Sequence, residues 1–145
     1  MSGNAAERKG GGIWCYWSSP VIVSSIVWGN TGGGGSDNLK SCGRSVRASF
    51  SAIGEDSYKM GRGSEPWPGK GNIKADPMFR GAPRAEDAPA EGGDYRLMTD
   101  SPCIDSGSVS GVASRDIDGN PRPFGGGGDM GAYELPGKPG EADLR

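Results

Sequence analysis

The chain has 145 residues, which favours a single domain, and 28 glycines with 11 prolines make it rich in turns. Only 33% of residues are hydrophobic, enough for a small core, while 4 Trp, 4 Tyr and 3 Phe argue against a wholly disordered chain. A net charge of −2 excludes the basic footprint of a nucleic-acid binder, and the absence of histidine removes Ser-His-Asp and Cys-His catalysis and most zinc sites.

Residues 1–9 are polar and read as a disordered leader without the apolar stretch of a signal peptide. Residues 10–56 carry the strand signals. "GGGIWCYWSSPVIVSSIVWGN" (10–30) predicts a short strand over 13–17. A Ser18-Ser19-Pro20 corner follows, since proline restricts both its own φ and the residue before it. A nearly continuous apolar, β-branched strand is predicted over 21–28. Gly29-Asn30 ends it, and 32–35 read as a flexible glycine loop. "GRSVRASFSAIGED" (43–56) echoes 18–31, with Ile22 and Val46 separated by 24 residues. A period in the twenties is the range in which repeats stack as solenoid coils.

Residues 57–93 read as an irregular, Gly-, Pro- and charge-rich region, and 94–134 as short alternating segments that end in a strand over 130–134. Residues 135–145 form a polar tail. Stacked coils bury alternate strand positions, which gives Ile13, Val21, Val23, Ile26, Val46, Phe50, Ile53, Phe79, Leu97, Ile104 and Met130 as the expected core. Cys15, Cys42 and Cys103 form no CxxC pair, and buried inert thiols are the favoured reading. No apolar run approaches the roughly 20 residues of a membrane span.

Three groups of residues carry chemistry. Asp116, Asp118 and Asn120 present oxygens at alternate positions around Gly119, a pattern suited to calcium; no other cofactor is expected. The run departs from an EF-hand loop in the place of its glycine, and Gly127 stands where the glutamate belongs. A turn that bonds its own backbone is the plainer and favoured reading. Asp76, Asp94 and Asp105 are candidates for paired-carboxylate glycoside hydrolysis, with turn-capping again favoured. Trp14, Trp17 and Trp28 suggest a sugar-stacking platform, against packing within the fold. Alternation puts Trp14 and Tyr16 on one strand face with Cys15 opposite. The GGGG runs at 32–35 and 125–128 lack the lysine of a phosphate-binding loop.

"GGGIWCYWSSPVIVSSIVWGN" resembles a coil of the right-handed parallel β-helix repeat proteins. "GNIKADPMF" (71–79), "DYRLMTDSPCIDSG" (94–107) and "DIDGNPRPFGGGGDMGAYE" (116–134) resemble the closing segment at the C-terminal end of many such bacterial proteins. The resemblance spans about residues 10–134 and implies an all-β, right-handed parallel β-helix (solenoid) fragment with about two coils at 10–56 and a closing segment at 94–134. So few coils imply a piece of a longer chain. The group includes polysaccharide lyases and hydrolases, adhesins and large secreted proteins. The resemblance is specific for the fold and not for an activity, and it implies a place outside the cell, secreted or in the cell envelope. The missing histidine, the few coils and the absence of a catalytic motif favour a non-enzymatic structural or surface module, with a polysaccharide or cell-surface glycan as partner and neither nucleic acid nor a membrane span. The alternative is the remnant of a polysaccharide lyase or glycoside hydrolase whose active site lies outside this chain. Arg44, Arg47, Lys70 and Lys74 match no lyase motif, so no catalytic residue is carried over.

Overall fold

A computed structural model of the chain describes residues 1–33, 35–42, 45–54, 67–87 and 89–135. The described part is all-β. Short strands form small sheets, and the lone helical element is a 3-10 turn at Ala85–Asp87. The strands are β1 (Ala5–Ala6), β2 (Ile13–Tyr16), β3 (Val21–Val23), β4 (Ile26–Val27), β5 (Thr31–Gly32), β6 (Gly35–Ser36), β7 (Leu39–Cys42), β8 (Arg47–Ser49), β9 (Ala52–Ile53), β10 (Phe79–Gly81) and β11 (Asp94–Leu97).

One register relates most of them. β2 pairs in parallel with β7, β3 with β8, β4 with β9 and β1 with β5. Ile13 lies opposite Leu39, Val21 opposite Arg47, Ile26 opposite Ala52 and Ala5 opposite Thr31, the same 26-residue step that separates Ser25 from Ser51. A bridge between Ser2 and Trp28 keeps the step. The spacing of 24 expected from Ile22 and Val46 is therefore corrected: Ile22 lies opposite Ala48. Polar side chains follow the same step. The Asn4 backbone and side-chain amides both donate to Asn30 Oδ1, at 3.1 and 2.8 Å. Ser25 donates its hydroxyl to the Val23 carbonyl at 2.8 Å, Ser51 does the same to Ser49 at 2.9 Å, and Ser25 N–H donates to Ser51 Oγ at 3.1 Å.

The predicted strand over 21–28 is broken at Ser24, whose φ of 46° is left-handed; Phe50, opposite it, has φ 50°. Such a residue costs a non-glycine about 1–3 kcal/mol, so surrounding contacts must hold it. Two-residue alternation stops there. Inside β3 the buried residue is Ile22, while Val21 is 61% exposed and Val23 half-buried, which corrects two expected core positions. Past the corner, Ile26 and Val27 are both buried.

Two apolar clusters result. The first joins Cys15, Ile22, Leu39, Val46, Ala48, Ile53 and Trp67, with Ile13 against it. The second joins Ile26, Ala52, Leu97, Cys103, Ile104 and Met130, with Trp28, Ile73, Phe79 and Leu135 against it. Phe50 is half-buried and belongs to neither. The segment expected to close the coils thus packs against the β4–β9 pair. It also bonds the Ser24 corner, where Gly131 N–H donates to Ser24 O at 2.8 Å and Ser108 N–H to Ser24 Oγ at 2.7 Å.

Four local readings change. Residues 1–9, read as disordered, supply β1 and the Ser2 bridge. From the glycine run read as a flexible loop, Gly32 and Gly35 pair across an antiparallel β5–β6 ladder. No strand forms over 130–134, because the Met130, Gly131 and Glu134 N–H groups turn to Cys103 O, Ser24 O and the Asp116 carboxylate. The leading glycines serve close approach: a Cβ on Gly11 would sit 2.0 Å from the Thr31 carbonyl oxygen, and one on Gly12 2.3 Å from that of Asn38. Parts of the irregular region (55–66) and the tail beyond 135 lie outside the described residues. No helix among the described residues is long and apolar enough to cross a membrane.

Candidate functional site

β2 alternates as predicted. Cys15 is buried in the first cluster, and Trp14 and Tyr16 point away from it, 59% and 68% exposed. Trp17 follows at φ 48°, a conformation a bulky residue adopts only under constraint. Its ring is 64% exposed and meets Tyr16 edge-on with centroids 6.5 Å apart; Trp14 meets Tyr16 at the same distance. The left-handed turn thus brings together three rings that strict alternation would split across two faces. Val21, 61% exposed, follows at the start of β3, the strand after the row. The structure unites Trp14 with Trp17 but not with Trp28, which is half-buried against the second cluster and has its ring about 3.1 Å from where a Gly54 Cβ would lie. Tyr16 completes the row. Its place was readable from alternation, whereas that of Trp17 depends on a backbone angle that no pattern announces.

Three exposed, mutually braced aromatic rings offer apolar faces to a ligand that is itself flat and partly apolar. Sugar rings are of this kind, with C–H groups on one face. In the parallel register Lys40 lies opposite Trp14 and Arg47 opposite Val21.

The Asp116–Asn120 turn is closed by its own bonds. Asp116 Oδ1 accepts the Asn120 N–H at 2.7 Å, and Oδ2 accepts the Asn120 side-chain amide at 3.0 Å and the Glu134 N–H at 2.9 Å. Burial works to raise this carboxyl, but the bonds from Asn120 and Glu134 outweigh it and hold it below its usual range. Asp118 is ion-paired to Arg96 at 2.7 Å. Among the described residues no group of three His, Cys, Asp or Glu side chains is placed to hold a metal ion. Asp76 accepts the Met78 N–H at 2.8 Å, Asp94 the Arg96 N–H at 3.1 Å and Asp105 the Gly127 N–H at 2.9 Å. Asp76 thus shapes a local turn, Asp94 caps the start of β11, and Asp105 ties its segment to the Gly127 loop.

The closing segment is held by acids acting as acceptors. Asp129, 1% exposed, accepts the Asp105 N–H at 2.9 Å and the Leu135 N–H at 2.8 Å. Glu134 takes the Arg122 guanidinium at 2.6 Å together with the Phe124 and Asp129 N–H groups. Burial, with the neighbouring Glu134 and Asp105 charges, pushes the Asp129 carboxyl up to about 6 against the pull of its two N–H bonds. Cys103, fully buried, is pushed up to about 11, first by burial and further by the Asp129 and Asp76 charges.

Comparison with family models, curated proteins and solved structures gives no match for this chain.

Proposed function

We propose that this chain is a non-enzymatic glycan-binding module, a fragment of a right-handed parallel β-helix with 26-residue coils, belonging to a longer exported protein. The parallel pairings at one register support the fold, because a strand that meets its successor at a constant step is what a stacked coil requires. The glycan reading is carried by the row of Trp14, Tyr16 and Trp17. A folded chain with few apolar residues leaves three large rings in water side by side, and exposed aromatic patches mark interaction surfaces. Polysaccharides fit because the row is aromatic and exposed, while among the described residues the charged side chains opposite β2 and β3 are Lys40 and Arg47.

The test is a titration of the protein with a panel of soluble polysaccharides, followed by tryptophan fluorescence and calorimetry. Binding by at least one neutral polysaccharide is expected. Trp14→Ala and Trp17→Ala should each weaken it about tenfold, as for a lost contact of about 1.4 kcal/mol. Unchanged fluorescence across the panel, or wild-type affinity in both variants, refutes the reading.

A further inference from the structure

We infer that the cavity walled by the segment before β1, the β3–β4 corner, the β10–β11 hairpin and the 131–133 turn is a second binding site, built for a small neutral polyhydroxylated ring such as a pyranose. This goes beyond the aromatic row, none of whose residues lines it.

The cavity has a volume of about 680 Å³, within the range of roughly 300–1,000 Å³ that small-ligand sites occupy. Its walls combine two chemistries. Phe79 and Tyr95 stand edge to face, 5.5 Å between centroids at 83°, and form one braced aromatic wall. Tyr133 supplies another ring, steadied by the Arg96 guanidinium 4.7 Å from its centroid. Hydroxyls and an amide complete the lining: Ser24, Ser25 and Asn4 with the two tyrosine O–H groups. Their capacities are mixed. Ser24 Oγ accepts the Ser108 N–H at 2.7 Å and keeps its own proton to donate. Ser25 donates to Val23 O at 2.8 Å and keeps a lone pair to accept. The Asn4 amide donates to Ser2 O and Asn30 Oδ1, which holds its side chain in place.

Charge decides the ligand class. Among the described residues no acidic or basic side chain lines the cavity, and the one charge at its wall is the Met1 amino group, which donates to the Ile26 carbonyl. The nearest guanidinium, Arg96, is engaged by Asp94 and Asp118. A phosphate or carboxylate ligand would lose its hydration and meet a single amino group, whose charged form burial already disfavours. A purely apolar ligand would bury the serine and tyrosine hydroxyls without partners. A neutral ring that has an apolar face and hydroxyls that both donate and accept meets both demands.

The experiment titrates the protein with glucose, galactose, xylose, cellobiose and, as a charged counterpart, glucuronate, followed by NMR shifts of assigned Tyr95, Tyr133, Trp14 and Trp17 signals. At least one neutral sugar should give saturable millimolar shifts centred on Tyr95 and Tyr133. Ala132→Trp, which adds bulk at an exposed lining position, should weaken the response at least tenfold. Tyr95→Phe keeps the ring and removes one hydroxyl, so it should weaken binding severalfold even if the bulky variant fails to fold. Trp14→Ala should leave the cavity shifts unchanged, which separates this site from the aromatic row. The inference is overturned if no neutral sugar shifts Tyr95 or Tyr133, if glucuronate binds better than every neutral sugar, or if Tyr95→Phe and a folded Ala132→Trp both retain wild-type midpoints.

Discussion

Glu134→Gln should be among the most damaging single changes outside the apolar clusters. The Glu134 side chain is 0% exposed and its partner Arg122 8%, with Arg122 Nε donating to Oε2 at 2.6 Å. The same carboxylate accepts the Phe124 N–H at 2.9 Å and the Asp129 N–H at 3.1 Å. Glutamine preserves size but removes the charge and turns one acceptor into a donor that faces another donor. With the amide oxygen at the Oε2 position Arg122 keeps a neutral acceptor beside the Gly131 and Tyr133 carbonyls, but loses its counter-charge, and the Phe124 N–H then faces the amide NH2. Removing one member of a buried ion pair costs about 3–5 kcal/mol, because the other is left charged without compensation. That is at least about a fifth of the 5–15 kcal/mol that holds a typical domain. At roughly 3 °C per kcal/mol for a chain of this size, the melting temperature should fall by about 10–15 °C. Urea unfolding followed by tryptophan fluorescence gives the free energy directly, and an unchanged slope shows that the loss is one of stability. The exposed Arg84–Glu86 pair, at 79% and 71%, is the control: Glu86→Gln should cost no more than about 0.5 kcal/mol. A loss below about 1 kcal/mol for Glu134→Gln would refute the view that these acids hold the closing segment.

The remaining predictions concern pH, strain and reactivity. With the folded Asp129 carboxyl near 6 and its ordinary value at 3.8, the native state holds the extra proton between them, so stability should fall as pH rises from about 4 to 6. Asp116 is shifted the other way, so its contribution is present above about 3.8 and is lost as pH falls through its lower folded value. Chemical denaturation from pH 3 to 7 should show both limbs, and Asp129→Asn should abolish the upper one. Trp17→Gly removes a non-glycine φ of 48° and should leave the melting temperature equal or higher while polysaccharide binding weakens; a lower melting temperature contradicts the strain assignment. In a Cys42→Ser background, Cys15 and Cys103 are buried, with thiols that burial pushes up, and should resist a thiol reagent at pH 8 until the protein unfolds.

Much of the all-β character was legible because strands announce themselves by β-branched runs and punctuation. Cys15 against Trp14 and Tyr16 follows from simple alternation, which holds along β2. It fails past the left-handed Ser24, where Ile26 and Val27 are both buried, and within β3 it runs in the phase opposite to the expected one, so that Ile22 rather than Val21 enters the core. The 26-residue step was hidden for a related reason. Matching Ile22 to Val46 maximises apolar likeness, whereas the true opposites pair Val21 with Arg47 and Ile22 with Ala48, dissimilar residues that share a position and little else. The leading glycines look like a linker because sequence shows flexibility and not crowding; only the carbonyls beside Gly11 and Gly12 reveal why no side chain fits. The acids of 105–134 looked like metal or catalytic candidates because a carboxylate that caps a backbone N–H has the same letter as one that holds calcium. The cavity was beyond reach, since Ser24, Phe79, Tyr95 and Tyr133 meet only through the fold.

The most direct test of the account is a backbone NOE map of the isolated chain. Stacked 26-residue coils predict inter-strand contacts between Trp14 and Lys40, Ile22 and Ala48, and Val27 and Ile53, all in parallel register. Contacts at a spacing of 24, antiparallel contacts between these segments, or none at all would contradict the coil on which the proposed function rests.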